Sequence, residues 1–531
     1  MKLDRTPWLV GSVLVVIAML LPLLQVLSSF TTPASENWEH IRQHLLGGYL
    51  KDSAILVVGT ALLSIILASA LAWFVTAYDF PGQRFFRVAL ILPLAIPPYI
   101  AGYTYHAMLS YTGVVQVTLR NQFGVKPPPR LFDIQNLPGA IVIFTLFLYP
   151  YIYLVLRSFL DKQAQQLMEA SAVLGASRLR TYWKVVVPLT RNAVIGGTTL
   201  VIFETLSDYG LVSYFGLNVF TTAVFNSWLG YRDLNAALRL AGVLLLVVFV
   251  ISAGEKSLRG ARSHSYASTR VTPLRRETAR GWRKIMIFTL CWTVLSLALI
   301  IPLAQMIYWA ILSLPVIRLE GLMTSFLMSF LLALAGAAIA TVCALVVAQN
   351  QRLWPTPVSK LLARLTVMGY SIPSTVIALA ILTIATWISQ RTGWNLLSSV
   401  AMLIAAYVIR YLAVSMQAVE AGLDRIGTRY HEASRTLGRG PTRSTFLIDV
   451  PMARTALLSG FLLAFIDMVK ELPLVLILRP FNLSTLATRV FEYAHDEQIP
   501  ESALASLLIV LLALIPTLVL VWKPPKGANR D

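Results

Sequence analysis

Long apolar runs separated by short polar segments make up most of the chain. Twelve of these runs are long enough to cross a bilayer as α-helices, because about 20 apolar residues span its hydrocarbon core. They lie near residues 8–30, 53–78, 86–110, 138–160, 192–214, 236–254, 284–314, 322–349, 360–388, 395–419, 455–479 and 501–522. The pattern predicts an all-α polytopic membrane protein with about twelve transmembrane helices.

Composition supports this class of protein. Of the 531 residues, 57% are hydrophobic and only 13% are charged, which is too apolar for a soluble protein. The net charge of +19 comes from Lys and Arg in the segments between apolar runs, where cations mark cytoplasmic loops. We expect cytoplasmic N- and C-termini and contact with membrane lipid. We expect no nucleic acid, since no aromatic residues are interleaved with the cations to stack on bases.

A charged motif occurs twice. EASAVLG at residues 169–175 returns as EASRTLG at residues 432–438, 263 positions later, and each copy precedes the fifth apolar run of its half. An even number of spans per half gives both halves the same orientation, so they form parallel repeats. We therefore divide the chain into a first half of six spans (1–254), a basic cytoplasmic linker (255–284) and a second half of six spans (285–531).

Each motif copy predicts a short helix on the membrane surface, near residues 165–185 and 428–448. An acid suits the first turn because of the helix dipole, and a glycine after leucine suits a helix end. An ordinary interfacial amphipathic helix is the alternative. Two copies at equivalent topological positions favour a paired docking element.

The motif resembles the coupling-helix motif of permease subunits in type I ABC importers. The resemblance implies the permease fold of that class and contacts with two copies of a separate ABC ATPase. The implied contact residues are Glu169, Ala170, Ser171, Leu174, Gly175, Glu432, Ala433, Ser434, Leu437 and Gly438. Arg439, Gly440 and Pro441 follow the second copy, so its helix should end sooner.

Three further stretches are more specific. They resemble segments in the fused permeases of bacterial ferric-iron importers. The three stretches are residues 92–105 (LPLAIPPYIAGYTY), 203–230 and 467–494, and the last contains KELPLVLILRPF. The resemblance covers nearly the whole chain. It implies uptake of Fe³⁺ across the bacterial inner membrane by alternating access, with a periplasmic or lipid-anchored solute-binding protein as a partner.

The sequence contains no G-x-x-x-x-G-K-[ST] phosphate loop. We therefore expect a transporter subunit rather than an enzyme, with no cofactor of its own and with ATP and Mg²⁺ held by the ATPase. Two alternatives stay open. One is a fused permease for thiamine or a phosphonate, and the other is a twelve-span secondary transporter.

Four acids lie inside predicted spans. Glu204 and Asp208 are four residues apart, hence on one helical face, and the repeat maps them onto Asp467 and Glu471. A charge at such depth costs on the order of 3 kcal/mol, so these side chains must face protein or water. Our hypothesis is that they meet near the translocation path as transient ligands for a hard cation. The alternative makes them gate or packing residues paired with neighbours such as Lys470, Arg479 or Tyr209.

Prolines and tyrosines also have two interpretations each. Pro93, Pro97, Pro98 and Pro373 should interrupt their helices, and interrupted helices can line a solute path. A tyrosine oxygen is a good ferric ligand, but tyrosine is also enriched at bilayer interfaces, and we expect the interface for this set. The set comprises Tyr99, Tyr103, Tyr105, Tyr111, Tyr149, Tyr151 and Tyr153.

Overall fold

The computed structural model describes residues 2–126, 128–173, 184, 187–259, 277–394, 396, 397 and 399–522. Nearly all of this described part is helical. Its strands are the two-residue segments Tyr78–Asp79 and Glu277–Thr278, which pair in parallel. This pairing ties the loop after the second predicted span to the chain just before the second half.

The first half contains the long helices that its apolar runs predict, joined by short ones. Its α-helices are Lys2–Ser28, Glu36–His40, Leu46–Ala77, Gln83–Ala89, Pro98–Leu109, Val114–Phe123, Leu137–Val173, Val187–Ser207, Gly210–Tyr214, Phe220–Phe225 and Leu234–Arg259. Two 3₁₀ turns, Leu92–Ala95 and Pro129–Leu131, and two π turns, Ile41–Leu45 and Asn226–Gly230, lie between or within them.

The second half repeats this plan. Its α-helices are Trp282–Leu295, Ile301–Ser313, Leu319–Leu353, Pro357–Met368, Ser374–Thr392, Val400–Ile426, Arg429–Thr436, Pro441–Ser444, Val450–Lys470, Pro473–Leu478, Leu486–His495 and Ile499–Trp522. A 3₁₀ turn spans Gly369–Ser371, and π turns span Ser296–Ile300 and Thr445–Asp449. Helices enter the expected linker from both sides, since one ends at Arg259 and the next begins at Trp282.

The number of candidate spans agrees with the expected count of about twelve. In the described part of the chain, ten helices are long and apolar enough to cross a membrane, or eleven if Gln83–Ala95 and Pro98–Phe123, bent by 91° at their junction, form one span. The remaining predicted span, 192–214, is present as Val187–Ser207 followed by Gly210–Tyr214. This helix is not among the ten because Arg191, Asn192 and Glu204 lower its mean hydropathy below that of the other spans.

The two halves are interlocked. The first helix, Lys2–Ser28, packs against second-half helices, including Leu319–Leu353 and Ser374–Thr392, while Ile499–Trp522 packs against the Leu92–Ala95 turn of the first half. Small residues allow the close approach, since a Cβ added at Gly11 of the first half would lie 2.9 Å from Val346 Cγ1 of the second half. The halves therefore share one core rather than forming two separate bundles.

Candidate functional site

Four membrane helices are interrupted, and the interruptions meet at one cavity. Pro98 begins a helix directly after the Leu92–Ala95 turn, and Ser374 does so after the Gly369–Ser371 turn. The other two breaks lie at Asp208 and at Glu471. Residues from all four breaks line the cavity. The expected interruption at the prolines is confirmed, and Pro97 and Pro98 do line this space.

All four acids singled out from the repeat line this cavity: Glu204, Asp208, Asp467 and Glu471. Its volume is about 80 Å³. A cation inside it would be surrounded by carboxylates from both halves. The described residues contain no group of three or more His, Cys, Asp or Glu side chains arranged to hold one metal ion.

Asp208 and Glu471 play the same structural part in the two repeats. Asp208 Oδ1 accepts a hydrogen bond from the Leu211 backbone N–H at 2.9 Å, and Glu471 Oε1 accepts one from Leu474 N–H at 3.1 Å. Each acid thus satisfies a donor that the helix break leaves without a helical partner. Glu471 Oε2 also accepts from the Tyr411 hydroxyl, so both of its oxygens are engaged.

Glu204 and Asp467, the other repeat pair, differ in their partners. Glu204 Oε1 accepts a hydrogen bond from the Tyr370 hydroxyl at 2.8 Å, which joins the two halves. Asp467 Oδ1 lies 3.1 Å from Lys470 Nζ. Of the neighbours proposed as alternative partners, Lys470 is therefore confirmed for Asp467. Arg479 instead pairs with Glu492 at 2.5 Å, and Tyr209 stacks on Phe225.

Arg410 also lines the cavity, although the sequence analysis missed it. The side chain is 2% exposed. Its Nη1 donates to the carbonyl oxygens of Tyr370 and Ile372, the latter at 2.7 Å, and its Nη2 donates to Ser207 Oγ at 3.1 Å. The guanidinium thus satisfies carbonyls at the broken helix of the second half and reaches the first half. Arg410 could have been recognised from the sequence, because an arginine inside the apolar run 395–419 requires a polar partner within the protein.

Both cavity cations belong to the second half. The repeat places Phe147 opposite Arg410 and Ser207 opposite Lys470. All four of these residues line the cavity. Among the lining residues, the first half therefore contributes two acids and no base, whereas the second half contributes two acids and both bases.

The interface interpretation of the tyrosines is wrong for four of them. Tyr99, Tyr103, Tyr149 and Tyr153 are at most 3% exposed and lie inside the protein core. Three of the hydroxyls donate to backbone carbonyls: Tyr103 to Gly210 at 3.1 Å, Tyr149 to Leu90 at 2.9 Å and Tyr153 to Arg87 at 3.2 Å. Broken helices expose carbonyls within the protein, and these hydroxyls satisfy them.

The second copy of the charged motif forms the short helix Arg429–Thr436. Glu432 lies in its first turn, and Glu432 and Ala433 are exposed. Leu437 is 81% exposed, and Gly438 has a φ of 81°, in the left-handed region that favours glycine at a helix end. The helix thus ends where the motif predicts it.

Ser434, by contrast, faces inward. It is buried, and its hydroxyl lies 2.9 Å from the hydroxyl of Ser444. Unlike Glu432, Ala433 and Leu437, it therefore packs within the protein. In the first copy, Glu169, Ala170 and Ser171 belong to the last turns of the helix Leu137–Val173. Leu174 and Gly175 lie outside the described residues.

A buried acid fixes the second motif helix to the membrane helices. The Asp449 carboxylate is 2.7 Å from His431 Nδ1, 2.6 Å from Gln349 Nε2 and 3.2 Å from Arg352 Nη1. His431 is the residue before Glu432, whereas Gln349 and Arg352 end the long helix Leu319–Leu353. A displacement of the motif helix would therefore act directly on that transmembrane helix.

These features define a class of protein. A polytopic helical membrane protein with two parallel repeats, interlocked around a charged cavity at broken helices, is a solute permease. The chain belongs to the family described as the binding-protein-dependent transport system inner membrane component, which matches residues 130–254 and 336–522. It is thus a multi-pass inner-membrane permease with the family domain present twice. Membership of this family contradicts the alternative that the chain is a secondary transporter.

Several named relatives are similar to the chain. The Fe(3+)-transport system permease protein FbpB 2 of Haemophilus influenzae is 26% identical over 89% of this chain and 89% of its own length. The ferric transport system permease protein FbpB of Actinobacillus pleuropneumoniae is 23% identical over 88% of this chain and 70% of its own length. The sulfate transport system permease protein CysT of Salmonella typhimurium is 25% identical, over 44% of this chain and 83% of its own length.

Proposed function

We propose that this chain is the permease of an ATP-driven importer of ferric iron. The proposal rests on one agreement: the relatives that match nearly the whole chain are ferric permeases, and the cavity lining is rich in carboxylates. The ferric permeases match nearly the whole chain, whereas the sulfate permease matches less than half of it. Four carboxylates line the cavity against two bases, a balance that suits a hard cation better than an anion such as sulfate.

The proposed mechanism is alternating access. A solute-binding protein delivers iron to the outer face, and two copies of an ATPase close on binding ATP and Mg²⁺ at the cytoplasmic face, where both termini of this chain lie. Glu432, Ala433 and Leu437 offer the exposed contact surface for one ATPase copy. The residues Glu169–Gly175 form the corresponding contact for the other copy.

Iron would then pass the cavity between the broken helices. Glu204, Asp208, Asp467 and Glu471 lower the electrostatic barrier to a cation there and supply oxygens in place of water. No step requires covalent chemistry in this chain. ATP hydrolysis belongs to the partner.

Uptake of radiolabelled solutes tests the substrate. A strain lacking this chain should lose uptake of radiolabelled ferric iron and should regain it when the chain is supplied. Sulfate, thiamine and a phosphonate should enter both strains equally. Loss of thiamine, phosphonate or sulfate uptake with normal iron uptake would refute the iron assignment.

A pull-down experiment tests the coupling. The ATPase should copurify with the wild-type permease, and Glu169→Lys combined with Glu432→Lys should abolish this. Retention of the ATPase by the double variant would contradict the proposed contact. Asp424→Lys is the matched control, because Asp424 is an exposed acid at the same end of the second half but outside the motif.

A further inference from the structure

Tyr99 differs from the buried tyrosines around it. It is 3% exposed and lines the cavity together with Asp208 and Glu471. The hydroxyls of Tyr103, Tyr149 and Tyr153 each bond a carbonyl, but the Tyr99 hydroxyl has no hydrogen-bond partner among the described residues. Buried hydroxyls are normally paired, so this one requires an explanation.

The local backbone is built to hold Tyr99 at this position. Pro97 and Pro98 interrupt the helix, and Tyr99 follows in the first turn of Pro98–Leu109. Gly210 lies against it, since a Cβ added there would be 2.7 Å from the Tyr99 Cβ. Any side chain at position 210 would therefore push Tyr99 away from the break at Asp208.

The repeat shows that this is not a general requirement of the fold. The Ile-Pro pair before each helix start aligns Ile96 and Pro97 with Ile372 and Pro373, which are 276 positions later because the spacing differs from that of the charged motif. Thr375 therefore occupies the position of Tyr99 in the second half. The Thr375 hydroxyl is also buried and without a partner among the described residues, but Thr375 does not line the cavity. The second half thus completes the same helix break without presenting a phenol to the cavity.

We propose that the Tyr99 hydroxyl oxygen is a ligand of the iron ion in transit, acting beside the Asp208 carboxylate. Hard cations prefer oxygen donors, and the Tyr99 hydroxyl is a buried oxygen in the lining of this cavity that has no partner among the described residues. Glu471 already uses both oxygens for Leu474 and Tyr411. Tyr99 supplies the additional oxygen. This assignment rests on the proposed iron transport.

The test compares three variants, each of which removes one buried hydroxyl group. They are Tyr99→Phe, Tyr103→Phe and Thr375→Val, assayed in the complete importer with its ATPase and binding protein in proteoliposomes. Radiolabelled ferric iron uptake and ATP hydrolysis are measured together. Tyr99→Phe should lower the iron transported per ATP on the order of tenfold, in line with the loss of a ligand-type contact. The two control variants should keep the wild-type ratio.

The outcomes separate the two proposals. If the wild-type importer moves no iron, the iron assignment fails whatever Tyr99 does. If the wild type moves iron and Tyr99→Phe keeps the same ratio of iron to ATP, Tyr99 is not a ligand. A parallel fall in transport and ATP hydrolysis would also overturn the assignment, since it indicates a structural defect. The thermal midpoint of Tyr99→Phe should match the wild type, because no hydrogen bond within the described protein is removed.

Discussion

Replacing Arg410 by methionine tests whether the cavity wall depends on the guanidinium. Arg410 is buried and bonds the carbonyls of Tyr370 and Ile372 together with the hydroxyl of Ser207. Methionine is of similar length but donates no hydrogen bond. The variant therefore leaves two carbonyls at a helix break without this donor and removes a contact between the two halves.

The size of the effect follows from these contacts. Two stranded carbonyls cost about 1 to 3 kcal/mol each, and the lost bond to Ser207 adds about 1 kcal/mol. Removing a buried charge recovers part of this through its desolvation cost. We therefore expect a net loss of about 3 kcal/mol in the free energy of unfolding.

Lys470→Met is the matched control. Lys470 is the other base of the cavity, but it makes one ion pair with Asp467 at 3.1 Å and one long contact with the Leu94 carbonyl at 3.4 Å. Its removal should cost less than that of Arg410, because the Lys470–Asp467 pair keeps some contact with solvent whereas Arg410 is 2% exposed. Unfolding of both purified variants is followed by thermal scans in the same detergent. Equal midpoints for the two variants, or a wild-type midpoint for Arg410→Met, would refute the reasoning.

Three further predictions follow from the site and the motif. Glu204→Gln and Asp467→Asn should each lower ferric iron uptake at matched expression, because each removes one of the four cavity carboxylates, and unchanged uptake in both would contradict this. Asp449→Asn should lower the thermal midpoint, since breaking a buried ion pair costs about 3 kcal/mol or more, and an unchanged midpoint would exclude a stabilising network. Leu437→Asp should weaken copurification of the ATPase without changing the thermal midpoint, and full retention of the ATPase would remove Leu437 from the contact.

The positions of the helices could be predicted because apolar run length and helix length are physically linked in a bilayer. Each predicted run is a helix or a broken helix in the structure. Helix ends were less predictable where a helix leaves the membrane. The run expected at 138–160 continues as a helix to Val173, because Asp161–Met168 is rich in residues that favour helix without being apolar.

Two of the four helix breaks were predictable, and two were not. Pro97 and Pro373 predict the breaks at their positions, because proline has no backbone N–H to donate to a helical hydrogen bond. The breaks at Asp208 and Glu471 depend on acids that replace a helical partner with a side-chain oxygen. Such a local hydrogen bond has no distinct sequence pattern, so these residues were recognised only as charges.

The repeat led to the four acids because it places like residues at like positions. The same logic could not find Arg410, whose counterpart is Phe147, nor could it assign Tyr99, whose counterpart is Thr375. The tyrosines were misassigned since the bilayer interface and a buried helix break attract the same residue. Only the tertiary contacts of the hydroxyl groups separate these two environments.

The two halves share a backbone plan but have acquired different chemistry, and fusion in one chain permits this. Separate copies of one permease subunit would present the same residues on both sides of the cavity. Here the second half alone supplies the bases Arg410 and Lys470, and it alone carries the Asp449 and His431 pair, whose repeat counterparts are Val186 and Met168. Because both bases lie on the second half, movement of that half relative to the first would change how closely Arg410 and Lys470 approach a cation in the cavity.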